Sequence, residues 1–218
     1  VISELKWKPV PRRCGAALLI LCLGFVMGGC SILPQKEPVE VFVLRSETNP
    51  LDLAPTSAVL DIRRPGGSGM LRSANILVMP RSHQISVYQG ARWNASVPQM
   101  LQEYLIRNFS TSSAFAAVVD SGAGVKEDYR LLTDIRAFQS SYADVNPDAQ
   151  NPMIEVEVDA QLIDPHKRAI VAQRRFTLTE PSSAPEIKAV VEAFNRAAAR
   201  LSNAMLEWSA QSIPQQEQ

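Results

Sequence analysis

The sequence predicts an α+β fold of two layers, a sandwich in which a mainly antiparallel sheet carries two helices on one face. Two long segments, near residues 97–110 and 187–208, repeat apolar residues at helical spacing. Between them lie four strand candidates, and one of these, residues 154–163, alternates apolar and polar side chains along its whole length. A sheet that buries one face and helices that each bury one stripe fit together as two packed layers.

Both helix segments open with the same local pattern. Ser-Val-Pro-Gln at residues 96–99 and Ser-Ala-Pro-Glu at residues 183–186 each place a serine three residues before Gln or Glu, with proline in the first turn. That spacing is typical of a capping box, and it predicts helices that begin directly after Ser96 and Ser183. The second helix has a mixed polar face, which indicates packing against a core rather than binding to a lipid surface.

Short apolar runs bounded by turn-forming residues predict the strands. In the first half of the chain they lie at residues 41–44, 59–63, 75–79 and 84–88. The four candidates between the helices are residues 115–119, 129–138, 154–163 and 169–178. The turn at residues 164–168 joins the last two strands as a hairpin.

The register of this hairpin follows if Leu162 pairs with Ile170. Glu157 then lies opposite Arg175 on the solvent face, where the two charges complement each other. Arg174 falls on the core face, against the pattern of the strand. A bulge, a sheet edge and a buried contact are all open as explanations for Arg174.

Charge and residue usage exclude several classes of function. The chain balances 22 basic against 22 acidic residues, so no basic surface indicates binding to nucleic acid. The two histidines, His83 and His166, have no cysteine or second histidine at the spacing of metal ligands. The acidic row of the strand at 154–163 is explained by its exposed face, because no converging groups accompany it. We therefore predict no catalytic residue, no metal site, no cofactor and no enzymatic activity.

The first 30 residues have the layout of an export signal. Four basic residues precede an apolar run at residues 16–27, and Gly28-Gly29 stands directly before Cys30. The run has about 12 residues, whereas a helix needs about 20 to cross the hydrocarbon of a bilayer. The stretch resembles a bacterial lipobox, with Met27 where leucine is usual. A buried cysteine at the end of a membrane helix and an ordinary cleaved signal are the alternatives.

The lipobox resemblance implies cleavage before Cys30, a diacylglyceryl group on its thiol and a fatty acyl chain such as palmitate on its amino group. Several acyl chains form a practically permanent anchor, at roughly 0.8 kcal/mol for each buried methylene. Ser31 follows the cysteine, and in enterobacterial lipoproteins the lack of Asp there implies release to the outer membrane. The predicted organisation is a signal peptide at residues 1–29, a lipidated tether at 30–40, one α+β domain at 41–211 and a disordered tail at 212–218.

Several segments beyond the cysteine resemble the ABC-type transport auxiliary lipoprotein family. They are the strand at residues 41–44, the strands at 76–80 and 84–88, Gly-Ala-Arg-Trp at 90–93 before the first helix, and the strand that starts at Tyr129. Together with the lipobox they extend over nearly all of the predicted mature chain. The Arg92-Trp93 pair is the most distinctive of them.

This resemblance implies a lipoprotein on the periplasmic side of the outer membrane. It would serve a transport system that carries lipids between the two membranes, with a periplasmic MCE-domain protein as partner. Arg92 and Trp93 are candidate partner-binding residues, because arginine and tryptophan are enriched at interface hot spots. In the alternative, Trp93 packs the loop onto the first helix while Arg92 caps or pairs locally. A homo-oligomer is left open.

Two other functions are open at this stage. A lipid carrier would hold its cargo in a cavity between the helices and the sheet, although the tight apolar alternation favours a filled core. An outer-membrane assembly lipoprotein resembling LptE or the amino-terminal domain of TolB would share the two layers. It would differ mainly in its partner.

Overall fold

The structure of the protein is a computed structural model that describes residues 38–45, 51–120, 122, 124–142 and 151–214. Within these ranges the chain forms nine β-strands and two α-helices. The predicted signal peptide and the lipidation site Cys30 lie outside the described residues, as does the end of the predicted tail from residue 215 onward.

Each predicted strand and helix has a counterpart, with different ends in most cases. The strands are β1 Glu40–Phe42, β2 Val59–Ile62, β3 Gly66–Gly67, β4 Asn75–Arg81, β5 Gln84–Trp93, β6 Ala117–Val119, β7 Tyr129–Ser141, β8 Met153–Asp164 and β9 Ala169–Pro181. The helices are α1 Val97–Thr111 and α2 Ile187–Ser212, and a short 3-10 helix spans Gly69–Arg72.

The long strand β7 lies in the middle of a single mixed sheet. On one side it pairs with β8, which in turn pairs with β9, and both pairings are antiparallel. On its other side β7 pairs in succession with β2, β3 and β4, all parallel to it. The sheet then extends from β2 to β6 and from β4 through β5 to β1. The predicted two-layer α+β fold is confirmed, and its longest ladders are antiparallel.

The β8–β9 hairpin forms, but the predicted register was wrong by two residues. Leu162 lies opposite Ala172, and Ile163 lies opposite Ile170, so the strand β9 has one extra residue at this point. This bulge was not predicted, because an added residue leaves the apolar alternation of β8 unchanged. The turn already pairs Asp164 with Ala169, one residue away from the predicted register, and the bulge adds the second residue, so Arg175 faces Asp159 rather than Glu157.

The unexpected position of Arg174 is explained by the location of β9 at the edge of the sheet. In the described part of the chain, β9 pairs only with β8, so it is an edge strand. The guanidinium carbon of Arg174 lies 4.9 Å from the ring centre of Phe176, two residues along the same strand. Arg174 is exposed while Phe176 is buried, so the cation covers the aromatic ring instead of entering the core.

The two helices confirm one of the predicted start points and correct the other. Ser96 precedes α1 as its cap residue, although its side chain makes no capping hydrogen bond. The helix α2 begins at Ile187 with Glu186 as its cap residue, three residues later than the pattern after Ser183 predicts. Before it, the Ser182 hydroxyl donates a hydrogen bond of 2.7 Å to the carbonyl of Ala184. This local turn competes with a helical start.

The core lies between the helices and the sheet and is built around three aromatic rings. Trp93 of β5, Phe138 of β7 and Phe194 of α2 are all fully buried. The ring centres of Trp93 and Phe194 are 5.3 Å apart with the planes nearly perpendicular, and those of Phe138 and Phe194 are 4.9 Å apart. Such arrangements are favourable beyond the buried area alone. We call these rings the aromatic core.

Candidate interaction surface

The two residues singled out in the sequence lie on opposite sides of β5. Trp93 is part of the aromatic core and has no exposed surface, so direct contact of its ring with a partner is excluded in this fold. The alternative had Trp93 pack the loop onto the first helix, whereas its ring contacts Phe138 of β7 and Phe194 of the second helix, α2. Successive side chains of a strand point to opposite faces, and Trp93 contacts the helix α2 through Phe194. Arg92 therefore points to the face of the sheet that the helices do not cover.

Arg92 is exposed and has neighbours of two kinds. In the register it lies opposite Val41 of the edge strand β1 and opposite Asn75 of β4. Among the residues that the structure describes, no carboxylate lies within ion-pair distance of its guanidinium group. The charge of Arg92 is thus available to an external group. Its predicted role in partner binding stays a prediction.

The same helix-free face carries a group of ion pairs across β7, β8 and β9. Asp159 is at its centre: its carboxylate accepts a hydrogen bond of 2.8 Å from Nε of Arg136, and two of 2.6 and 3.0 Å from Nε and Nη2 of Arg175. Arg136 also lies 3.1 Å from Asp134, and Arg175 lies 3.2 Å from Glu157. We call these five residues the Asp159 network.

The electrostatics of the network keep its central carboxylate ionised. Hydrogen bonds from Arg175 and then Arg136 lower the pKa of Asp159 to about 2. The same contacts raise the pKa of both arginines. Both arginine side chains are still more than half exposed, so they can contact a second molecule without leaving Asp159.

The network lines a hollow in the helix-free face. The hollow has a volume of about 620 Å³ and is open to solvent. Its lining combines the ion pairs with the amides of Gln161 and Gln173 from the facing positions of β8 and β9. Such a surface offers several donors and acceptors in fixed positions, which is the character of a polar interface.

A second charged group joins β2 to β7 and was not recognised from the sequence. Asp61 is buried, and its carboxylate lies 2.5 Å from Arg63 and 3.7 Å from Arg130. Glu127 forms a further ion pair with Arg130. Burial raises the pKa of Asp61, although Arg63 acts in the opposite direction. Because Asp61 and Arg130 lie opposite each other in the register, we assign this group to strand pairing rather than to binding.

Membrane-spanning helices and metal-binding clusters are both absent from the described ranges. No helix there is both long and apolar enough to span a bilayer. No three side chains of His, Cys, Asp or Glu come together there in a way that could hold a metal ion.

The chain is similar to several known proteins. The crystal structure of protein XCC0632 from Xanthomonas campestris matches it with a TM-score of 0.74 and 28% identity, over 80% of this chain and 96% of that one. A crystal structure of an uncharacterized protein matches with a TM-score of 0.59 and 15% identity, over 79% of this chain and 99% of that one, and shows the fold alone.

A curated relative gives a more limited comparison. The uncharacterized protein bll6063 of Bradyrhizobium diazoefficiens is 27% identical over 168 residues, which is 75% of this chain. These residues make up 44% of the relative, so the chain spans less than half of its length.

One protein-family model covers most of the fold. The model described as the ABC-type transport auxiliary lipoprotein component matches residues 42–206. The match runs from the end of β1 into α2 and includes both the aromatic core and the Asp159 network. The resemblance predicted from the sequence is thereby confirmed, and the chain belongs to the family of ABC-type transport auxiliary lipoprotein components.

Proposed function

We propose that this protein is a non-enzymatic auxiliary component of an ABC-type system that transports lipids between two membranes. Cys30, lipidated, holds it at the periplasmic side of the outer membrane. The folded domain docks a periplasmic MCE-domain protein of the same system. Family membership supports the transport role, and the lipobox resemblance at Cys30 supports the anchor.

The observation that carries the docking role is the helix-free face with the Asp159 network. A sheet with one face covered by helices needs only that face for its core. The other face here is neither bare nor apolar: it presents exposed arginines held in place by carboxylates. Arginine is enriched at protein interfaces, and charges fixed beforehand lose less freedom on binding.

The chemistry of this face supports binding rather than catalysis. A general base works best when its pKa lies near the operating pH. With a pKa of about 2, Asp159 is a weak base at neutral pH, and it is ionised there, so it cannot donate a proton. Its two arginines are likewise occupied by charge pairing.

The lipid-carrier alternative requires an apolar cavity between helices and sheet. The aromatic core fills part of that space with three rings. The hollow on the other face is open to solvent and is lined by the charged groups of Asp134, Arg136, Asp159 and Arg175, which does not suit an acyl chain. These features favour a docking protein over a carrier.

Two substitutions separate anchoring from docking. We expect the Cys30→Ser variant to be absent from the membrane fraction. The purified variant should still bind the MCE-domain partner. We expect Arg175→Glu to stay in the membrane fraction. It should bind the partner at least about tenfold more weakly than wild type, because the reversed charge disrupts the Asp159 network. Fractionation of membranes and biolayer interferometry with the purified partner measure the two effects.

The matched control for Arg175→Glu is Lys188→Glu, an equal change of charge at an exposed position of α2. It is expected to bind within twofold of wild type. Exposed ion pairs contribute about 0.2–1 kcal/mol, so both variants should remain folded. Docking through this face is refuted if Arg175→Glu binds as well as the control, and the whole proposal is refuted if wild type does not bind the partner.

A further inference from the structure

The edge strand β1 has one side without a partner in the described part of the chain. It pairs in parallel with β5, and no other described strand contacts it. The carbonyl of Phe42 accepts a hydrogen bond of 2.8 Å from the backbone N–H of Asn94 at this pairing. Backbone groups of successive residues in a strand point to opposite sides. Those of Val41 therefore point outward, away from β5.

On the helix-free face the side chains along this edge are apolar, β-branched and exposed, whereas the exposed Glu40 of β1 lies on the other face. Val39, Val41 and Val43 are 52%, 51% and 44% exposed, while Phe42 and Leu44 between and after them turn toward the core. We call the three valines the valine row. Long side chains with charge usually protect an edge strand from pairing with other chains. The valine row lacks that protection.

The opposite edge of the sheet is protected in this way by charged side chains. The outermost strand there is β9, and helix α2 extends two arginines over its end. Nη2 of Arg196 donates 2.8 Å to the carbonyl of Pro181, and Nη1 of Arg200 donates 3.2 Å to that of Thr179. These contacts occupy carbonyls near the end of β9. No side chain in the described part of the chain forms a comparable contact with the backbone of Val41.

Arg92 adds a charge beside the valine row. It lies opposite Val41 on β5 and on the same face of the sheet, and its guanidinium has no carboxylate partner in the described residues. A strand added outside β1 would place its own side chains within reach of this face. A carboxylate on that strand would complement Arg92, whereas a basic residue would be repelled.

We propose that the outer edge of β1 receives an extended segment of the MCE-domain partner, which adds a strand to the sheet. Its backbone pairs with that of Val41, its apolar side chains cover the valine row and an acidic side chain pairs with Arg92. This is recognition by strand addition, in which backbone hydrogen bonds supply affinity and alternate side chains supply specificity. The inference rests on the proposed function and names a second contact of the same partner, at the sheet edge away from the Asp159 network.

The short edge suits an anchored protein. The strand β1 has three residues, and pairing over so few residues gives a weak contact for a freely diffusing pair. A protein and its partner held in the same membrane system meet at a raised effective concentration, so a weak contact is sufficient. Two copies of this chain joined only through three-residue edges would bury less than a stable dimer needs.

Proline at Val41 tests the backbone pairing directly. Val41→Pro removes the outward N–H but none of the hydrogen bonds to β5, and edge strands tolerate proline. We expect it to bind the purified MCE-domain protein at least tenfold more weakly than wild type in biolayer interferometry. Val125→Pro, at an equally exposed valine in the loop before β7, is the matched control and should bind within twofold.

Charge reversal at Arg92 tests the side-chain part. We expect Arg92→Glu to weaken binding about fivefold or more, with a reduced dependence on salt. Arg81→Glu, the same change at an exposed position at the end of β4, should bind within twofold of wild type. A circular dichroism spectrum and thermal melt for each variant establish that it is folded.

Hydrogen exchange of single amides measures the added strand without any substitution. In the free protein we expect the Val41 amide to exchange at least tenfold faster than that of Phe42, which faces β5. Addition of the purified MCE-domain protein should slow the Val41 amide at least tenfold and leave Phe42 nearly unchanged.

The outcomes distinguish this inference from the proposed function. If wild type binds the partner and Val41→Pro binds equally well, strand addition is overturned and docking stands. If Val41→Pro changes only the self-association of the chain in sedimentation, the edge serves a second copy and the inference is overturned. If wild type does not bind the partner, both proposals are overturned.

Discussion

The two faces of β8 differ in composition and in what they contribute. On one face, Ile154, Val156, Val158, Ala160 and Leu162 are buried, and this face packs against helix α2. On the other, Glu155, Glu157, Asp159 and Gln161 are partly exposed. Glu157 and Asp159 belong to the Asp159 network, and Gln161 lines the hollow. The same backbone holds both sets in register. We infer that stability resides mainly on the first face and recognition on the second, so substitutions should affect one property without the other.

The largest expected effect is on the covered face. Phe194→Ala removes one ring of the aromatic core and leaves a cavity beside Trp93 and Phe138, which should lower the free energy of unfolding by about 3–5 kcal/mol. Urea denaturation followed by tryptophan fluorescence measures this loss. Under conditions in which the variant is folded, binding to the MCE-domain partner should match wild type. A loss of binding by the folded variant would contradict the division between the faces.

An intermediate effect is expected where α2 meets β9. The carboxylate of Glu180 accepts hydrogen bonds of 2.7 Å from Arg196 and 2.9 Å from Arg200. Glu180→Gln keeps the shape and removes the charge, and we expect a loss of about 1 kcal/mol because both arginines are partly exposed. Glu207→Gln, at an exposed position of α2, is the control in the same denaturation experiment. Equal stability of the two variants would show that Glu180 does not hold the helix.

The smallest effect at neutral pH is expected at Asp159. Asp159→Asn should change the free energy of unfolding by less than about 1 kcal/mol at pH 7, because the network is exposed. Its effect depends on pH: the pKa falls from an ordinary 3.8 to about 2 in the folded protein. The stabilisation is therefore present above about pH 4 and is lost as the pH falls toward 2.

Denaturation midpoints between pH 7 and pH 2 test this sign. The wild type should lose more stability over that range than Asp159→Asn, and parallel curves would refute the assignment. Asp61 acts in the opposite sense, since burial raises its pKa. Its protonated form is favoured in the folded state, so its contribution is present in acid and is lost as the pH rises through its folded-state pKa.

The features predicted well are those that depend on local periodicity. The helices α1 and α2 and the strand β8 were found because apolar residues recur at fixed spacing on a buried face. The parallel pairing of β7 with β2, β3 and β4 was not predicted. It joins segments up to about 70 residues apart, and neither a turn motif nor a periodic pattern marks such a contact.

The candidate site was predicted only in part. The sequence places Arg92 and Trp93 side by side, but only the fold shows that one faces solvent and the other the aromatic core. The acidic row of β8 was recognised as exposed. Its partner Arg136 was not recognised, because Arg136 lies at a bulge of β7. The partner of Asp159 on β9 was missed for a related reason, since the pairing at the turn and the bulge in the hairpin each shift Arg175 by one position.

The order of synthesis gives the shared edge of β7 a further consequence. The strands β2, β3 and β4 are made before the strand that all three require. A growing chain that ends near residue 120 can pair β2 with β6 and β4 with β5, but it lacks the strand that joins these pairs, so a fragment cut there cannot complete the sheet. The sheet can be completed only after residues 129–141, which form β7, have been synthesised. The amino-terminal half therefore depends on a strand that comes later in the chain, and such long-range pairing slows folding.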